Sequence, residues 1–178
     1  MKENEILTLK YLNEDDRAYG LAGMSVSLAA LNAIQRVASV SLDSDGPMVI
    51  FGNEYYFSGS PSVSPKATWD KLVENFQITS AMALANVMSR SIVRMPRQVP
   101  LEILKEIHDA MIEEGRETCS LEEDETDALF NKMMTYNNRI FNNPRVHPAI
   151  DEFVRILSRR RSLTGGEIID ELRNLQLI

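Results

Sequence analysis

Between residues 21 and 40 the chain carries one charged side chain, Arg36, and a run of small ones: Ala22, Ser25, Ala29, Ala30, Ala33 and Ala38. Val26, Ala30, Ala33 and Val37 form an apolar stripe at helical spacing, widened by Leu28, Leu31 and Ile34. The pattern predicts a helix over 21–40 that is apolar nearly all round. Such a helix belongs at the centre of a bundle, because no face of it is suited to water. Asn13 followed by Glu14, Asp15 and Asp16 supplies a start signal, a side-chain oxygen and early carboxylates for the exposed N–H groups.

A central helix needs neighbours, and the chain supplies them. Ser64-Pro65 reads as a cap followed by a proline at the first helical position. Trp69, Leu72, Val73, Phe76, Ala83, Leu84, Val87 and Met88 then mark a long amphipathic helix ending before Pro96. Its small residues at 80–85 permit close approach to the 21–40 helix. Pro100 opens a further helix through Leu104, Ile107 and Met111, with Gly115 as its expected end. Ser120 and Glu123 have capping-box spacing ahead of a helix reaching Phe141. Asn142-Asn143-Pro144 breaks it, and Pro148 begins another helix. The last helix has the sharpest boundary: Thr164 and Glu167 form a capping box, and Leu163 and Ile168 sit at hydrophobic-staple positions.

One segment departs from the helical period. Met48 to Phe51 and Glu54 to Phe57 are rich in strand formers and flank Gly52-Asn53, which predicts a β-hairpin turning there. The fold class expected is therefore mainly α, a compact multi-helix bundle with one β-hairpin insertion. A chain of 178 residues suits one domain, 1–178, with 148–178 as a C-terminal helical hairpin packed on it.

Charge is distributed unevenly. Residues 101–127 hold eleven carboxylates and two bases, whereas 131–178 hold eight bases and five acids. A net charge of −7 opposes broad binding to nucleic acid. Cys119 is the only cysteine, which excludes an intrachain disulfide. The N-terminus lacks the pattern of a signal peptide, and the 21–42 stretch is too polar for a membrane span. The expectation is a cytoplasmic protein with no membrane association.

Residue chemistry gives little support to catalysis. Cys119, His108 and His147 are too few and too far apart for a structural zinc site. The acidic region lacks the order of a calcium loop. Gly20 and Gly23 lack dinucleotide spacing, and Gly165-Gly166 lacks the lysine of a phosphate loop. His108 reads as a boundary residue with a local hydrogen bond, His147 as a loop or helix-entry residue, and Cys119 as an inert thiol beside carboxylates that oppose its ionisation. No cofactor and no metal is expected.

Binding is the reading that remains. Tyr55, Tyr56 and Phe57 are candidates for an aromatic protein-binding patch, and Met133 and Met134 for an adaptable apolar groove. Arg90, Arg94, Arg155, Arg159, Arg160 and Arg161 are candidates for binding an anion or nucleic acid, or for neutralising the 101–127 acids within the chain or across an oligomer. The favoured function is a non-enzymatic protein-interaction or oligomerising module, with a protein partner or homo-oligomer. The alternatives are a nucleic-acid-binding accessory protein using the Arg-rich C-terminal helix, and an enzyme with no sequence-visible motif. Glu167, Asp170 and Glu171 on the last helix make it a poor recognition helix, which disfavours nucleic acid.

Overall fold

The computed structural model describes residues 6–56 and 64–178. It is a mostly helical bundle carrying a three-stranded antiparallel sheet, β1 (Val37–Ser41), β2 (Val49–Phe51) and β3 (Ser162–Thr164), in the order β2-β1-β3. The expected fold class holds. The central helix is α1 (Glu14–Ala30), started by Asn13, whose side-chain oxygen accepts the Asp16 N–H at 2.9 Å. Leu21, Ala22 and Leu28 on it have no exposure.

The long helix α3 (Pro65–Met88) begins at the Ser64 cap and packs against α1, as the small residues on both predict. The approach is close. A methyl group on Gly23 would lie 2.5 Å from the Ala85 carbonyl oxygen and 2.5 Å from Ser89 Cβ. Beyond Met88 the helix widens into a π-helical segment (Ser89–Arg94), in which all six residues are buried. Asn137 reaches into the same core. Its amide donates to the Ala81 carbonyl and accepts from the Ser27 hydroxyl, so one side chain ties α1, α3 and α5 together.

The predicted helix over 21–40 stops ten residues early. Asn32 takes a left-handed conformation (φ 55°), and its N–H bonds the Ala29 carbonyl while the Ala33 N–H bonds that of Leu28. These are the two bonds of a Schellman stop, with asparagine where glycine is usual. After a 3-10 turn (Ile34–Arg36) the chain becomes strand β1 (Val37–Ser41). Val37 and Val40 are buried there, and partners on both sides satisfy the backbone that a helix would have paired internally.

The hairpin exists but turns elsewhere. Strand β2 (Val49–Phe51) pairs with β1, in the register Val40 opposite Val49 and Val37 opposite Phe51, across the loop at 42–48. Gly52-Asn53 is therefore no hairpin turn. Asn53–Tyr56 forms the single helical turn α2, which lays Tyr55 flat on Phe51 with ring centroids 3.9 Å apart. Strand β3 (Ser162–Thr164) pairs with the other edge of β1, between the two helices of the C-terminal segment.

Helix α4 (Leu101–Cys119) passes through Gly115 instead of ending there. The glycine is needed for packing, since a methyl would meet Thr126 Oγ1 at 2.9 Å and the Phe76 ring at 3.2 Å. The helix ends on Ser120 in a left-handed conformation (φ 54°), which removes Ser120 from the cap of the next helix. That helix, α5 (Glu123–Phe141), instead starts at Glu122, whose N–H donates to the Glu125 carboxylate at 2.9 Å.

The chain finishes with α6 (His147–Arg160), β3 and α7 (Gly165–Asn174). The Thr164–Glu167 capping box forms in full, and both staple residues, Leu163 and Ile168, are buried. Gly165 lets α7 sit on the sheet, because a methyl there would lie 2.0 Å from the Val37 carbonyl oxygen.

Candidate functional site

Two of the five protein-binding candidates, Tyr55 and Met133, lie in the interior. Tyr55 is buried between Phe51 and α3, its hydroxyl donating to the Asn75 carbonyl, and so forms no surface patch. Met133 is in the core and Met134 packs half-buried against it. Tyr56 lies in α2, and Phe57 falls outside the described residues.

The arginine candidates do not gather into one positive surface. Arg90 is fully buried and Arg94 nearly so; they pair with Asp16 and Asp15 of α1. Arg155 pairs with Glu152 along α6, Arg160 with Glu167 and Glu171, and Arg161 with Glu14 and Asp43. Of these six arginines, Arg159 alone is exposed without an ion pair to a described residue. These arginines meet acids of α1, α6, α7 and the 42–48 loop. None neutralises the 101–127 acids, which stay turned toward solvent.

Two of those acids, Glu106 and Glu114, border a groove of about 320 Å3 between α1, α3 and α4. Glu106, Ala110 and Glu114 recur every four residues and so form one exposed strip along α4. Ile107 and Met111, each one position on, turn into the protein and form the floor with Ala83 and Val87 of α3 and Met24 of α1. Glu106 and Glu114 form no ion pair with any described residue. Two unneutralised carboxylates thus stand over an apolar floor.

The far wall is the segment before α1, with Leu9 and Tyr11 facing the groove. Its position is held from beneath by Arg90. That guanidinium donates to the Lys10 carbonyl at 3.0 Å and lies 4.8 Å from the centre of the Tyr11 ring, while the Asn86 amide donates to the Tyr11 hydroxyl at 2.6 Å. Burial raises the Tyr11 pKa, so the phenol stays neutral at physiological pH. On the other side of Tyr11 a second hollow, about 410 Å3, is lined by Met24, Met48 and Met82. The methionines that line these hollows are thus Met24, Met48, Met82 and Met111, and Met133 and Met134 line neither.

Other reactive groups have structural partners. His108 Nε2 lies 2.6 Å from Asp127, linking α4 to α5, with its ring edge-on to Phe130. His147 Nε2 contacts the Phe141 carbonyl at 2.7 Å. Cys119 is buried, and burial together with the Glu114 charge pushes its thiol pKa up. Among the described residues no cluster of three His, Cys, Asp or Glu is placed to hold a metal, and no described helix is long and apolar enough to cross a membrane.

No family model matches the chain, and no curated protein or solved structure is detectably similar to it. The site is defined by its geometry alone. Its signal in the sequence is the strip Glu106–Ala110–Glu114 beside Ile107–Met111, acids and apolar residues on adjoining lines of one helix. Tyr11, Met24 and Val87 come from distant segments and carry no such signal.

Proposed function

We propose that this chain is a non-enzymatic protein-binding module whose α1–α3–α4 groove receives an apolar anchor from a partner segment bearing lysine or arginine beside it. The observation that carries this reading is the pair Glu106 and Glu114, unneutralised at the rim of an apolar floor. Apolar burial supplies the affinity, at about 25 cal/mol per Å2 removed from water. The carboxylates select a basic partner and accelerate encounter. Met24 and Met111 are unbranched and polarisable, so the floor adjusts to anchors of different shape.

A labelled amphipathic Leu/Lys peptide, with a Leu/Glu peptide of equal length as control, tests the reading by fluorescence anisotropy. The basic peptide should bind and weaken as salt rises, and Ala110→Arg should abolish binding by filling the groove with a like charge. Equal binding of both peptides, or binding unchanged by Ala110→Arg, would sink the proposal.

A further inference from the structure

The partner segment that this groove calls for, apolar anchors beside a lysine, is present in the chain itself. Residues 9–12 read Leu-Lys-Tyr-Leu. Leu9 and Leu12 are more than 40% exposed, although both are large and apolar. Lys10 is exposed, and its ammonium group forms no ion pair with a described residue. The segment is not loose: the Lys10 carbonyl is held by Arg90 and the Leu12 N–H by Asp16. Its backbone is thus tied down while Leu9, Lys10 and Leu12 are presented outward.

Resting on the groove reading above, we infer that the occupant is the same segment of a second copy of this chain, in a twofold-symmetric dimer. Leu9 belongs both to the groove wall and to the exposed patch, so one surface carries anchor and receptor side by side. That is the requirement of an isologous interface, in which each copy gives what it receives. Across the twofold axis, Leu9 and Leu12 of each copy cover the floor of the other. Lys10 of each meets the Glu106 and Glu114 carboxylates opposite. A lysine and two carboxylates that find no ion pair among the described residues of one copy find them between two. Holding the segment on Arg90 beforehand lowers the ordering entropy lost on association.

Sedimentation velocity over a broad dilution series of the full chain, with circular dichroism as a folding control, tests the inference. The wild type should dimerise reversibly. Lys10→Glu should weaken the dimer about tenfold or more by setting three carboxylates together, and the charge-exchanged variant with Glu106→Lys and Glu114→Lys added should regain it. Both sets of changes are on exposed side chains. A dimer indifferent to these substitutions, or a double reversal without rescue, would overturn the inference. A monomer at every concentration that still binds the Leu/Lys peptide would overturn it too and leave the groove reading intact. A monomer that binds no peptide would remove both.

Discussion

Arg90 and Asp16, 74 residues apart, face each other through two hydrogen bonds with both side chains wholly withdrawn from water. Arg90 Nε meets Asp16 Oδ1 at 2.9 Å and Nη2 meets Oδ2 at 2.6 Å, the fork geometry that a guanidinium and a carboxylate share. The pair joins the start of α1 to the π-helical segment, and Arg90 continues upward to the Lys10 carbonyl. One buried arginine therefore sets the wall of the groove.

Removing either partner leaves a buried charge without its hydrogen-bonded counterion. Arg90→Ala and Asp16→Ala should each destabilise the protein by about 4 kcal/mol in urea unfolding, and the double change to Met and Leu should cost less than either. Arg90→Lys should not rescue, since an ammonium cannot supply the fork. A loss below about 1 kcal/mol for both single variants would show that the pair contributes little.

The pair also gives stability a defined pH dependence. Burial pushes the Asp16 pKa up, but the Arg90 hydrogen bonds, the Leu12 N–H and the charges of Arg90 and Arg94 outweigh it and hold the carboxyl below its ordinary value. A carboxyl with a depressed pKa in the folded state binds fewer protons there than when unfolded. Its stabilisation is therefore complete above the unfolded value of about 4 and disappears as pH falls toward the folded one. The stability gap between wild type and Asp16→Asn should be constant from neutral pH to about 5 and close below about 4. A gap that persists unchanged at pH 3 would contradict this.

Two glycines should respond oppositely to alanine. Gly23→Ala drives a methyl into the Ala85 carbonyl, a backbone atom that cannot swing aside, and should cost about 3 kcal/mol. Gly166 is helical with negative φ and has nothing within 4 Å of an added methyl. Gly166→Ala should raise stability by about 0.5 kcal/mol, through reduced freedom of the unfolded chain. Thermal or urea unfolding of both variants decides the matter, and equal responses would refute the packing argument.

Cys119 should be chemically silent while the protein is folded. Its thiol is buried, its thiolate is disfavoured, and the carbonyl of the same residue accepts the Trp69 indole N–H at 2.7 Å, fixing the end of α4. Alkylation by iodoacetamide at neutral pH should be at least about a hundredfold slower in buffer than in denaturant. Comparable rates in the two conditions would place the thiol at the surface.

The boundaries legible from sequence are those whose chemistry lies within a few residues. Asn13, Ser64-Pro65, Thr164 with Glu167, and the staple of Leu163 and Ile168 each satisfy their own helix end and needed no knowledge of the rest of the chain. Gly115 and Ser120 misled because one residue type serves two purposes. Glycine ends helices and also allows them to touch, and only the positions of Phe76 and Thr126 decide which applies. Asn32 was a readable stop signal, concealed by the strong helical pattern on both sides of it.

By itself the sequence determined that helices form, where most of them start, and that the small-residue stretches at 21–30 and 80–85 meet at the centre. Local hydrogen bonding and apolar periodicity act over three or four residues, so they are written along the chain. Tertiary structure decided that 37–41 is a strand, that Tyr55 is interior, that Arg90 and Arg94 are spent on Asp16 and Asp15, and that Glu106 and Glu114 meet no cation among the described residues. Each of these depends on which distant groups compete for the same partner. Strand pairing, burial and ion pairing are settled by that competition in three dimensions, and the acidic rim above an apolar floor is its outcome.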